Sequence, residues 1–112
     1  VTEALPPLDV AARAGRLRGL LAAAHPEVPA LIVSDLADIR WLCGFTGSNG
    51  WAVLTPDEVV LVTDGRYADQ GAAQLAAAGV TGSVRVGRTG AALLDELAAV
   101  VGPHGRVGFD DA

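Results

Sequence analysis

Lysine is missing from this 112-residue sequence: all eight basic residues are arginine, set against thirteen carboxylates. The formal net charge is -5. The arginines are scattered, with Arg13, Arg16 and Arg18 on one prospective helix and the rest mostly single. A surface that tracks phosphates needs clustered cations, so nucleic acid is not an expected partner. Cysteine is nearly absent too. The single Cys43 excludes an internal disulfide framework and any multi-cysteine metal cluster. No apolar run approaches the length of a membrane-spanning helix. Val1 to Leu8 lacks the basic patch and apolar stretch of a secretion signal. A cytoplasmic protein with no membrane partner is the expectation.

What is present suffices for one domain. Hydrophobic residues make up 51% of the chain, enough to bury a core at this length. Val10, Ala14, Leu17, Leu21 and Ala24 share one face of a first helix from which Arg13, Arg16 and Arg18 project elsewhere, with Asp9 as its N-cap and His25-Pro26 as its stop. Ala30 to Val33 reads as a buried strand. Ser34-Asp35 closes it and caps a short helical turn through Leu42. Gly44 to Gly50 is a polar, glycine-rich loop. Trp51 to Leu54 and Val59 to Thr63 flank the turn Thr55-Pro56-Asp57-Glu58, which predicts an antiparallel hairpin. A helix over Arg66 to Ala78 follows, stopped by Gly79. Val84 to Val86 reads as a strand and Leu93 to Val101 as the body of a helix. Gly102-Pro103 ends that helix before a strand at Arg106 to Phe109. The order predicts an α/β fold with a mixed β-sheet flanked by helices. The ending Phe109-Asp110-Asp111-Ala112 reads as a cut within a longer chain.

Two stretches invite a chemical reading. In Gly44-Phe45-Thr46-Gly47-Ser48-Asn49-Gly50, three glycines at threefold spacing suggest a backbone that turns sharply or is closely approached. Neither a Walker-type sequence nor a dinucleotide glycine pattern is present, which argues against a nucleotide-binding domain. A serine-hydrolase elbow would need Gly where Thr46 stands, so Ser48 has no motif support as a nucleophile. A turn-making loop outweighs a ligand-binding one on residue chemistry alone. In Thr63-Asp64-Gly65-Arg66-Tyr67, Asp64 suits a helix cap. Arg66 could pair with Asp64 or Asp69, or present its planar fork to a substrate carboxylate. His25 and His104 fall in prospective loops and form no metal-ligand pair, so both are expected to be exposed. Asp110-Asp111 is a weak cation signal. Cys43 reads as a small buried hydrophobe. Trp41 and Trp51 flank the loop, with core packing as the default and a pocket wall as the alternative. No catalytic residue and no metal ligand is assigned.

The run Leu31 to Gly50, with its Trp41-Leu42-Cys43-Gly44-Phe45-Thr46-Gly47-Ser48-Asn49-Gly50 segment, resembles the N-terminal domain of Xaa-Pro aminopeptidases and dipeptidases. Leu61 to Tyr67, with Gln70 beyond it, is similar to that domain's next signature. The resemblance implies the creatinase/prolidase N-terminal domain, of ribonuclease H-like fold. Residues 1–112 would then be an accessory domain. The catalytic pita-bread domain, with two divalent metal ions, often manganese, would lie outside this chain. It implies a peptide substrate with proline second, a homodimer or higher oligomer, and loops reaching a neighbouring subunit's active-site mouth. Trp41, Phe45, Thr46, Ser48, Asn49 and Arg66 are the substrate-pocket candidates. Creatinase relatives carry an aromatic and an arginine just after the Gly-Phe pair. Thr46, Ser48 and Asn49 here point away from creatine and toward peptides. The alternative is a stand-alone peptide- or protein-binding module of the same fold.

Overall fold

The run Val59-Val60-Leu61-Val62-Thr63 is apolar at almost every position, so both of its faces must be covered. In the computed structural model, which describes residues 10–110, this strand lies inside a five-stranded sheet and all five residues are buried. The elements in chain order are α1 (Val10–Ala24), β1 (Ala30–Val33), α2 (Leu36–Cys43), β2 (Gly50–Leu54), β3 (Val59–Thr63), α3 (Ala68–Ala77), β4 (Gly82–Val86), α4 (Gly90–Val101) and β5 (Val107–Phe109). The spatial order is β4-β3-β2-β1-β5. Only β2 runs against its neighbours: β1–β2 and β2–β3 are antiparallel, whereas β1–β5 and β3–β4 are parallel. The expected hairpin is present, paired from Gly50↔Thr63 to Leu54↔Val59.

Alternate residues of β3 feed two cores. Val59 and Leu61 pack with Ala14, Ile39, Leu42, Phe45 and Leu75, so α1, α2 and α3 share one face. Val60 and Val62 pack with Leu93 and Val100 of α4 on the other. Burying side chains of this size stabilises the fold by about 1.5–3 kcal/mol each. Among the described residues no helix is long and apolar enough to cross a membrane.

Local signals place most ends. Asp35 caps α2 by accepting from the amides of Ala37 and Asp38, and Gly44 closes it at a φ of 81°. Gly79 follows α3 at a φ of 70°, as expected of a helix stop. Thr55 holds the hairpin turn together, its hydroxyl accepting from the amides of Asp57 and Glu58. The Asp9 cap and Asp111 lie outside the described residues.

Four expectations need correction. The segment from Arg66 to Ala78 is not one helix. A 3-10 turn, Gly65–Tyr67, precedes α3, because the Asp64 carboxylate captures the Arg66 amide and tightens the first turn. Trp41 is 44% exposed rather than core. His104 is half-buried in the 3-10 turn Gly102–His104 rather than exposed in a loop. Arg13 and Arg18 do not simply project from α1. Arg13 donates to the Trp41 carbonyl at 2.8 Å, and Arg18 to the Thr55 carbonyl at 2.6 Å. Together they fasten α1 to α2 and to the hairpin turn.

The far end of the chain is fastened by a carboxylate. Asp110 accepts from the Ser34 amide, the Ser34 hydroxyl and the Asp35 amide, each at 2.9 Å. Partial burial pushes its carboxyl up, but the bonds from Asp35 and Ser34 win and leave it below its ordinary value. Because the folded value is depressed, this stabilisation is present above the unfolded value of about 4 and is lost as pH falls through the folded one. Asp110→Ala is expected to cost roughly 1 kcal/mol at neutral pH, the low end for bonds to a charged group because the site is partly solvated. Urea unfolding should show that difference shrinking in acid. An equal difference at neutral pH and well below pH 4 would contradict the assignment.

Candidate functional site

The loop between α2 and β2 crosses the carboxyl-terminal end of the sheet, where its backbone cannot join a strand ladder. Phe45 anchors it. Its ring is 1% exposed, in the same core as Leu61 and Leu75, and meets the Tyr67 ring edge-on with centroids 5.7 Å apart. Gly47 folds back over that ring. A Cβ there would collide with Phe45 Cζ and come within 2.8 Å of Cε1, so no side chain fits without displacing the anchor.

Around the anchor, the loop is tied to the segment from Thr63 to Gln74 by a row of polar contacts. The Thr46 amide donates to Gln74 Oε1 at 3.0 Å, and the Thr46 hydroxyl accepts from Gln74 Nε2 at 2.8 Å and Gln70 Nε2 at 3.2 Å. Ser48 Oγ and the Tyr67 hydroxyl are 2.7 Å apart. Asn49 donates to Asp64 Oδ2 at 2.9 Å, while the Thr63 hydroxyl donates to the Asn49 carbonyl. The two glycine-containing sequence motifs are therefore the two sides of one seam.

Asp64 is the hub of that seam. Besides Asn49, its carboxylate accepts from the Arg66 amide and, through a two-pronged contact, from Arg66 Nε at 3.1 Å and Nη2 at 2.9 Å. The Arg66 guanidinium and the Asn49 amide hold this carboxyl far below the usual carboxylate range. Arg66 stacks over Tyr67, its Cζ 5.0 Å from the ring centroid. The Tyr67 phenol is pulled below its ordinary value first by hydrogen bonding to Ser48 and further by Arg66. The partner of Ser48 is thus a phenol, not an imidazole or carboxylate that would take its proton.

Of the six pocket candidates, Thr46, Ser48, Asn49 and Arg66 line this seam and Phe45 lies beneath it. Phe45, Thr46, Gly47 and Ser48 also border an outer hollow of about 290 Å³ whose far wall is Leu36, Ala37 and Arg40 of α2. Trp41 stands apart. It lines a different hollow, of about 200 Å³, with Leu17, Leu31, Val33, Leu42, Asp38 and Asp110. Its ring carries the Arg13 guanidinium at 5.2 Å. Sequence reading passed over Gln70 and Gln74 as loop partners, although their spacing of four already puts both on one face of α3. Cys43 is buried, which pushes its thiol up, and fits the expected packing role. Among the described residues, no three histidine, cysteine, aspartate or glutamate side chains converge in a group that could hold a metal ion.

Comparison with known proteins gives a consistent result. The family model for the creatinase/prolidase N-terminal domain matches residues 13–112. Aminopeptidase P2 of Arabidopsis thaliana is 44% identical over 71 residues, which are 62% of this chain but only 10% of that protein. The chain thus spans a small fraction of the curated relatives it matches. Among solved structures, the creatinase/prolidase-like N-terminal domain of a Corynebacterium diphtheriae protein superposes with a TM-score of 0.72 at 33% identity. That match covers 90% of this chain and 75% of the other. The N-terminal domain of a cytoplasmic peptidase from Mycobacterium tuberculosis H37Rv gives 0.67 at 34% identity, covering 88% and 72%.

If Gly47 is required by its contact with Phe45, Gly47→Ala should destabilise the domain by about 1–3 kcal/mol, the usual cost of overpacking. Chemical denaturation measures this directly. A loss of only a few tenths would show that the ring can move aside.

Proposed function

This chain belongs to the creatinase/prolidase N-terminal domain family, and from that premise we propose that it serves a proline-specific metallopeptidase as its non-catalytic N-terminal domain. The parent enzyme would remove the residue preceding proline from peptides. The observation that carries this reading is the family match across residues 13–112, in a chain that spans only a tenth of its aminopeptidase relative. The described residues offer no ligand set for the divalent metal ions that such chemistry uses. Those ions, with manganese the expected pair, belong in this proposal to a second domain, and no step of the reaction is assigned here.

The domain's own part is to shape the mouth of the substrate pocket, in a homodimer or larger oligomer of a cytoplasmic enzyme. The seam supports that role in a specific way. Thr46, Ser48 and Asn49 have exposed side chains yet are each held by hydrogen bonds to side chains of the facing segment, so the loop offers a fixed polar edge. Trp41 and Leu36 add exposed apolar area on the adjoining helix. A fixed edge of this composition suits a peptide backbone and its side chains.

Two outcomes are expected. The pure 112-residue chain should not hydrolyse Xaa-Pro peptides even with added manganese, and reproducible metal-dependent turnover would sink this reading. In the complete parent enzyme, Trp41→Ala and Thr46→Ala should raise KM for a proline peptide several-fold while leaving kcat within about twofold, the pattern of lost uniform binding. Unchanged kinetics in both variants would remove the pocket-mouth role.

A further inference from the structure

A second concavity lies on the other side of Asp64, and the seam does not use it. The strands β3 and β4 are adjacent and parallel, yet the chain leaves them toward opposite faces of the sheet. After β3 it passes to α3, which shares a core with Ala14 and Ile39. After β4 it passes to α4, which packs on Val60 and Val62. Connections that diverge in this way leave a crevice beyond the carboxyl ends of the two strands, the place where open α/β sheets bind ligands. A cleft of about 680 Å³ occupies that position, lined by Asn49, Trp51, Asp64, Arg66, Arg88 and Leu93 among others.

Its chemistry is legible group by group. Trp51 and Leu93, both packed in the α4-side core, give it an apolar floor. The Asp64 carboxylate is saturated by Arg66 and Asn49, so that pair of charges cancels locally. Arg88 is exposed, and among the described residues no carboxylate pairs with it. The hydroxyl of Thr89 is already committed to the Ala92 amide, so the start of α4 has its own cap. The cleft therefore carries one uncompensated positive charge beside an apolar floor, in a chain whose net charge is -5. A guanidinium fork selects a carboxylate, and the floor selects an apolar group attached to it.

We infer that this cleft binds a small monoanionic carboxylate bearing an apolar side chain, with Arg88 holding the carboxylate and Trp51 and Leu93 receiving the apolar group. The site is independent of the peptidase reading, since it uses only this cleft and needs neither a partner domain nor a metal. The same chemistry is offered by a free organic acid and by the C-terminal residue of a peptide.

The test uses the 112-residue chain with N-acetyl-leucine, N-acetyl-leucinamide and the tripeptide Gly-Gly-Leu, followed by amide and indole NMR signals. The acid is expected to shift the Trp51 indole and the amides of Gly87 and Gly90, and the neutral amide to leave them in place. Arg88→Ala, on an exposed position that should not disturb folding, is expected to weaken the acid about tenfold. Arg106→Ala, remote from the cleft, should leave binding unchanged. Tighter binding of the tripeptide than of the acid would assign the cleft to peptide C-termini, and equal affinity to free acids. Equal shifts from acid and amide, no loss in Arg88→Ala, or no shift up to about 10 mM acid would each overturn the proposal.

Discussion

A strand that is apolar on both faces has to be roofed on both, and the architecture follows from meeting that demand at β3. Val59 and Leu61 need one set of helices, while Val60 and Val62 need another. A chain leaving β3 for one face and β4 for the other satisfies both with two crossovers. The crevice beyond the two strands is the geometric remainder of that solution. Asp64 is the first residue past β3, where the backbone turns out of the ladder, and its carboxylate supplies the acceptors that the turn requires. One residue thus closes the strand, opens the 3-10 turn, fixes Arg66 and holds Asn49 of the opposite loop.

The polar groups of the seam are largely consumed by one another. The hydroxyl of Thr46 answers two glutamines, Ser48 answers Tyr67, and Asn49 answers Asp64. Groups bound in this way are poor nucleophiles and poor bases, but they are well-ordered edges. Ordering has already been met within the domain, so a partner or substrate meeting this edge would not have to supply it again. The depressed carboxyl of Asp64 and the lowered phenol of Tyr67 express the same fact, since each records bonds that favour the ionised form.

How much of this was visible in the residues depends on how far apart the partners lie. The strand Val59 to Thr63, the Asp35 cap, the Gly79 stop and the hairpin turn at Thr55 are local, and local chemistry identified each of them. The Arg66–Asp64 pair is local as well, and pairing within the motif prevailed over Asp69. The contacts that escaped are those between distant residues: Arg13 with Trp41, Arg18 with Thr55, and Asp110 with Ser34. Nothing in the neighbourhood of Arg18 announces a carbonyl 37 positions away. The default reading of Trp41 as core, though not its pocket-wall alternative, failed for the same reason. A tryptophan looks like core until the cation that stacks on it from another helix is known. The seam shows the intermediate case, with both motifs legible and their union visible only once β2 and β3 are paired.

Charge distribution adds a last constraint. With no lysine, every positive group is a guanidinium, which prefers planar, paired contacts to diffuse solvation. Arg13, Arg18, Arg66 and Arg85 each have such a contact: two carbonyls, Asp64 and Glu96. Arg13, Arg18 and Arg85 fasten one element to another, while Arg66 closes its own turn on Asp64. Arg88 carries no such contact among the described residues, and it sits at a crevice the topology leaves open. A guanidinium left over beside an apolar floor does nothing for the fold, whereas the same group facing a carboxylate makes the cleft selective. Arg16, Arg40 and Arg106 likewise have no such contact among the described residues, so what separates Arg88 is its place at the cleft beside Trp51 and Leu93.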